Sequence, residues 1–171
     1  SLSFNMSKPG EGRYIIENIA TGRYLFQSEK PPGGEIHYSK CVGADANYLD
    51  RAVWNISQKE EDIFFIQNEA TGRYLFQTGG KFDPNTLNEG PANAPSTVGA
   101  DDPNLKQVTW KFVADGEGYL LSNFYTGRYA YQTGQQLEGD HGDEEGWANA
   151  PNVVGTRHNY DGIARWKFIE Q

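Results

Sequence analysis

Three tryptophans, Trp54, Trp110 and Trp166, stand 56 residues apart in a chain of 171 residues. Gly43, Gly99 and Gly155 keep the same period, each 11 residues ahead of its tryptophan. Thr-Gly-Arg-Tyr-Leu-Phe-Gln occurs at 21–27 and again at 71–77, and Thr-Gly-Arg-Tyr-Ala-Tyr-Gln at 126–132. A register that recurs three times constrains the fold more than any lone motif. Each copy is one supersecondary unit that buries its apolar face against its neighbours. The units span approximately 12–60, 61–115 and 116–171, as lobes of a single domain over 1–171.

Each lobe reads as four short strands. The first ends at Asn18, Asn68 or Asn123, and a turn closed by Thr-Gly follows, where glycine takes a backbone other residues resist. The second strand, Arg-Tyr-Leu-Phe-Gln, alternates and is rich in aromatic and branched residues. A long polar loop leads to a short third strand ending at Val-Gly. The fourth begins Trp-x-Ile or Trp-x-Phe, so its two large residues share a face. No 3.6-residue apolar period occurs. Three lobes of four strands make an all-β protein of about twelve strands. Propellers need more blades, and an open solenoid would need caps that no copy supplies. The closed threefold arrangement that remains is a β-trefoil, with Tyr24, Phe26, their repeats and the three periodic tryptophans expected in its core.

Charge and motifs exclude several functions. The net charge of −8 argues against nucleic acid and anionic membrane as partners, and no apolar run approaches the roughly 20 residues of a bilayer span. The single cysteine, Cys41, reads as a small buried thiol. The start has no basic n-region or apolar h-region, so a cytoplasmic or non-classically secreted protein is expected rather than one with a signal peptide. His37, His141 and His158 lack zinc-ligand spacing, and the acidic run at 138–145 lacks the EF-hand pattern. No catalytic or phosphate-binding motif occurs. The expectation is a non-enzyme without cofactor or metal.

These residues resemble a known group. Ala-Thr-Gly-Arg-Tyr-Leu-Phe-Gln, the Val-Gly pair and the closing Trp-x-aliphatic or Trp-x-Phe look like fungal β-trefoil lectins. The nearest likeness is to the lectin module of Laetiporus-type mushroom haemolytic lectins. The resemblance implies binding of galactose-type glycans: galactose, lactose, N-acetyllactosamine or N-acetylgalactosamine. Two departures matter. Ala52, Val108 and Ala164 stand two before each tryptophan, so the Gln-x-Trp motif of ricin-type lectins is missing. No sequence is left for the pore-forming module of the haemolytic relatives, so sugar binding rather than membrane insertion is implied.

Function belongs where the copies differ, because packing explains what they share. From the turn glycine to the Val-Gly glycine the spacing is 21 residues in the first lobe but 27 and 28 in the others. The two longer loops share Ala-Asn-Ala-Pro at 92–95 and 148–151. A sugar needs fixed carboxylates and amides for its hydroxyls and an aromatic face for its C–H patch. In the third lobe Asp140, His141, Asp143, Trp147 and Asn149 offer that mix, and Trp147 is the one tryptophan off the 56-residue period. In the second lobe Phe82, Asp83, Asn85, Asn88 and Asn93 offer a similar one. Asp45 and Asp101, after Val-Gly, read as turn residues, and the turn arginines Arg23, Arg73 and Arg128 as hairpin supports. Glycans or glycoproteins are the expected partners, with homo-oligomerisation left open. The rival class is a β-trefoil protease inhibitor, which would need only one protruding loop and no echoed one.

Overall fold

The computed structural model describes residues 8–27, 40–45, 49–85, 95–136, 152–159 and 162–171, with only the backbone of 40, 41, 134–136, 152 and 153. The strands are β1 (Gly12–Asn18), β2 (Tyr24–Gln27), β3 (Lys40–Asp45), β4 (Val53–Glu60), β5 (Ile63–Asn68), β6 (Tyr74–Gln77), β7 (Thr97–Ala100), β8 (Trp110–Asp115), β9 (Gly118–Asn123), β10 (Tyr129–Gln136), β11 (Asn152–Arg157) and β12 (Arg165–Glu170). Among the described residues two 3-10 turns, Leu49–Arg51 and Lys106–Val108, precede β4 and β8 and are not evident in the sequence. The all-β class and the twelve strands agree with the sequence reading.

The pairings close a barrel. β1, β4, β5, β8, β9 and β12 pair antiparallel in a ring, each with the next and β12 back with β1. The hairpins β2–β3, β6–β7 and β10–β11 join one another through β3–β7, β3–β11 and a bridge from Ser96 to Gly155. Each hairpin hangs from its barrel strand by a single register pair: Glu17 with Tyr24, Gln67 with Tyr74, and Ser122 with Tyr129.

The periodic tryptophans fill the barrel. Trp54, Trp110 and Trp166 are fully buried. Each indole N–H donates to a carbonyl of its own lobe's second strand: Leu25 (2.9 Å), Leu75 (2.8 Å) and Ala130 (3.0 Å). A buried indole must find such a partner. The shared face of the fourth strand holds for Trp54 with Ile56 and Trp110 with Phe112, while Phe168, beside Trp166, is only partly buried.

The second strands differ from the alternation expected. Leu25, Phe26 and Gln27 are all buried in succession, as are Leu75 to Gln77 and Ala130 to Gln132, while Tyr24, Tyr74 and Tyr129 are only half-buried. The reason is that both faces of these strands are covered. Leu25, Leu75 and Ala130 point into the barrel core. Phe76 and Tyr131 point the other way, into satellite clusters that hold Val108 and Ala164, the residues two before the tryptophans. The third strands also run through Val-Gly rather than ending there. The second hairpin pairs one residue out of step with the others: Leu75 faces Gly99, whereas Phe26 faces Gly43 and Tyr131 faces Gly155. A one-residue slip exchanges faces, and Val98 and Ala100 accordingly join the satellite cluster while Val42 and Ala44 join the main core.

The turn chemistry repeats in full. Gly22, Gly72 and Gly127 have φ of +70°, +72° and +75°, the left-handed region in which glycine alone carries no Cβ penalty. Ahead of each, a buried asparagine folds the turn. Asn68 Oδ1 accepts from the backbone N–H of Ala70 and Thr71 (both 3.1 Å), and its Nδ2 donates to Arg51 O (2.9 Å) in the preceding lobe. Asn18 and Asn123 do the same with Ile163 O and Gln107 O. One side chain therefore caps its own turn and ties two lobes together.

Candidate functional site

The last residue of the repeated heptad reaches the first residue of the next copy. Thr21 Oγ1 lies 2.6 Å from Gln132 Oε1 and donates to it. In the amide orientation that satisfies its neighbours, Gln77 donates to Thr126 Oγ1 (2.9 Å) and to Gly79 O (3.2 Å). These glutamines are buried at the point where each long loop leaves its hairpin strand. The loop that follows is thus delivered to the turn of the next lobe.

The second-lobe loop shows what this delivery builds. Thr78 N donates to Ser96 O (3.0 Å), and Ser96 N donates back to Thr78 Oγ1 (3.1 Å), closing the loop's base. Arg128 Nη1 donates to Gly80 O, and Phe82 N donates to Thr126 O (3.0 Å). A Cβ at Gly79 would meet Arg128 Nη1 and the Pro95 ring at 2.6 Å each, so only glycine fits beneath this crossing. The Phe82 ring lies flat on the His158 imidazole, with centroids 3.7 Å apart and planes 11° apart. Beyond it Asp83 and Asn85 are exposed, and Asp83 Oδ1 accepts from Asn85 N (2.9 Å), a local turn that fixes the carboxylate. An aromatic, a carboxylate and an amide are therefore held together at a junction of the second and third lobes.

Of the residues picked out from the sequence, Phe82, Asp83 and Asn85 fall in this described stretch. Asn88, Asn93, Asp140, His141, Asp143, Trp147 and Asn149 lie outside the described residues, as do the cysteine side chain at position 41 and all but Pro95 of the two Ala-Asn-Ala-Pro segments. The arginine reading is met at Arg73, whose Nε lies 3.2 Å from Asp101 Oδ1 of its own hairpin, whereas Arg128 is buried and donates instead to the second-lobe loop. The Arg73 ion pair gives Asp101 a structural role at its hairpin, and Asp45 is buried at the end of β3. His158 is the residue the sequence reading missed. Its spacing speaks only against a zinc-ligand role, whereas in the structure the ring is an aromatic support for Phe82. Its signal was faint, a lone ring just after the third strand of the third lobe.

Two exposed ion pairs shift the titration of their members. Hydrogen bonding to Arg13 holds the Glu69 carboxyl below its ordinary range, and Lys8 does the same to Asp62. Arg13 lies on β1, Asp62 and Glu69 lie in turns, and Lys8 stands just ahead of β1. Among the described residues no group of three histidine, cysteine or carboxylate side chains is placed to hold a metal ion, and no helix is long and apolar enough to cross a membrane.

No protein-family model matches the chain, and no curated protein matches it in sequence. Solved structures do. A Caenorhabditis elegans protein of unknown function aligns over 99% of both chains with a TM-score of 0.70 and 16% identity. A designed threefold-symmetric protein, ThreeFoil, covers 94% of this chain and 100% of its own with a TM-score of 0.66 and 12% identity. A ricin B-like lectin from Macrolepiota procera, solved with lactose, covers 96% and 99% with a TM-score of 0.64 and 15% identity. The likeness is one of fold. It places fungal lectins among the proteins built on this threefold barrel, in agreement with the resemblance seen in the repeated motif.

Proposed function

We propose that this chain is a β-trefoil lectin, a single non-enzymatic domain that binds galactose-type glycans in shallow sites of its second and third lobes. The observation that carries the reading is the anchored second-lobe loop. Phe82, stacked on His158, sets Asp83 and Asn85 at the surface of a lobe junction. That set has the chemistry a pyranose requires: hydrogen-bond acceptors and donors at fixed positions beside an aromatic side chain. The fold likeness to lectins supports the class, and the echoed loop of the third lobe supports a second site of the same kind.

The test is retention of the purified chain on immobilised lactose, followed by elution with free lactose. Retention and competitive elution are expected. Failure to bind any spot of a broad glycan array, together with inhibition of a cysteine or serine protease, would overturn the lectin in favour of the inhibitor.

A further inference from the structure

Where the third lobe meets the second, the repeat is broken by charge. Phe124 and Tyr125 follow Asn123, whereas the other lobes have Ile19 and Ala20, or Glu69 and Ala70, at those positions. Lys106 stands four residues before Trp110, where the first lobe has Asp50 and the third Gly162. Lys59 stands five residues after Trp54, where the second lobe has Asp115 and the third Gln171. Threefold packing does not demand these residues, since the other two lobes fold without them.

They come together in space. Lys81 and Lys106 both lie over the Tyr125 ring, with Nζ atoms 5.0 Å and 5.3 Å from its centroid. The ring attracts each cation. Among the described residues neither they nor Lys59 form an ion pair with a carboxylate. Beside them runs a groove of about 300 Å³, lined by Lys59, Asn104, Lys106, Phe124 and Tyr125, with Glu60 as its one carboxylate. Phe124 is 51% exposed there, a large apolar ring left facing water. In a chain of net charge −8, this is a cationic pocket with an aromatic wall. It is separate from Phe82, Asp83 and Asn85, which do not line it.

We infer that this groove is a second saccharide site that takes the acidic group of a glycan, a sialic acid carboxylate or a sulfate ester. The oxyanion sits against Lys59 and Lys106, the two ammonium groups that line the groove, and the apolar face of the sugar packs on Phe124. The inference rests on the glycan-binding reading but not on the galactose sites. Two exposed ammonium contacts make an acidic lactose bind about three- to tenfold more tightly than lactose at low ionic strength, and salt erodes that advantage.

The experiment titrates the full chain by calorimetry with lactose, 6′-sialyllactose and 6′-sulfated lactose at 50 mM and 500 mM NaCl. The comparison protein is the Lys59→Gln/Lys106→Gln double variant, which changes only groove-lining lysines. Tighter binding of one or both acidic lactoses, lost in the double variant and shrunk at high salt while lactose binding is unchanged, is the expected result. The two acidic ligands tell carboxylate from sulfate. Equal affinity for all three ligands, or an acidic advantage that survives in the double variant, overturns the inference and leaves the lectin standing. Competition by inorganic sulfate at equal concentration, with equal affinity, would show a bare anion site and also overturn it. Acidic lactoses bound through the lysines, with lactose itself ignored, would instead remove the galactose reading and uphold this one. A chain that binds none of the three loses both.

Discussion

Trp110 carries two loads, bulk in the barrel and a hydrogen bond to Leu75 O. Trp110→Ala should cost roughly 3–5 kcal/mol by leaving a cavity. Trp110→Phe keeps most of the bulk but strands the carbonyl, at about 1–3 kcal/mol. Urea denaturation of both variants separates the two loads. Trp147, off the period, should behave in the opposite way: Trp147→Ala leaves the melting temperature nearly unchanged and weakens sugar binding in the third lobe. A large loss of stability with binding intact would place that ring in the core. At the surface, Glu69 gives a small pH-dependent contribution. Its folded-state pKa is lowered by Arg13, so the stabilisation is present above the unfolded carboxyl pKa and is lost as pH falls through the folded one. Thermal melts of wild type and Glu69→Gln should therefore differ slightly at pH 7 and converge below about pH 4. The gap at pH 7 should narrow with salt, because both partners are exposed.

At the scale of elements, the ends of the first strands were legible to the residue. Each ends at an asparagine whose side chain closes an Asx turn ahead of Thr-Gly, which is local chemistry written in adjacent residues. The second strands were misread because alternation assumes one wet face, and these strands have cores on both. The one-residue slip of the second hairpin was hidden for a related reason. With both faces buried, the apolar pattern does not fix the register. The lock between Gln77 and Thr126, and the stack of Phe82 on His158, join residues far apart in sequence, and no spacing rule points to them. What could be read was where the copies differ, and that led to the loop containing Phe82. Phe82→Ala should leave the barrel intact, since the ring packs on one exposed-side imidazole rather than in a core cluster. Its melting temperature should move by no more than a few degrees, while the affinity for lactose drops several-fold. A collapse in stability would show that the loop anchors the fold instead of a ligand.

For the whole molecule, the threefold frame and the unequal loops make separate statements. The frame is held by the same three devices at each turn: the indole bond, the asparagine cap and the left-handed glycine. The loops are long in two lobes and short in one, so two galactose-type sites of one kind are expected per chain. Each is weak, because a monosaccharide buries little surface, and millimolar binding corresponds to about 4 kcal/mol. Avidity on a multivalent surface would then come from both sites engaging together. The most direct test follows amide and indole resonances of the ¹⁵N-labelled chain during a lactose titration. The account predicts saturable shifts at millimolar lactose in residues 82–85 and 137–151, with the indoles of Trp54, Trp110 and Trp166 unmoved. Shifts confined to the first-lobe loop, or no shift at tens of millimolar lactose, would contradict it.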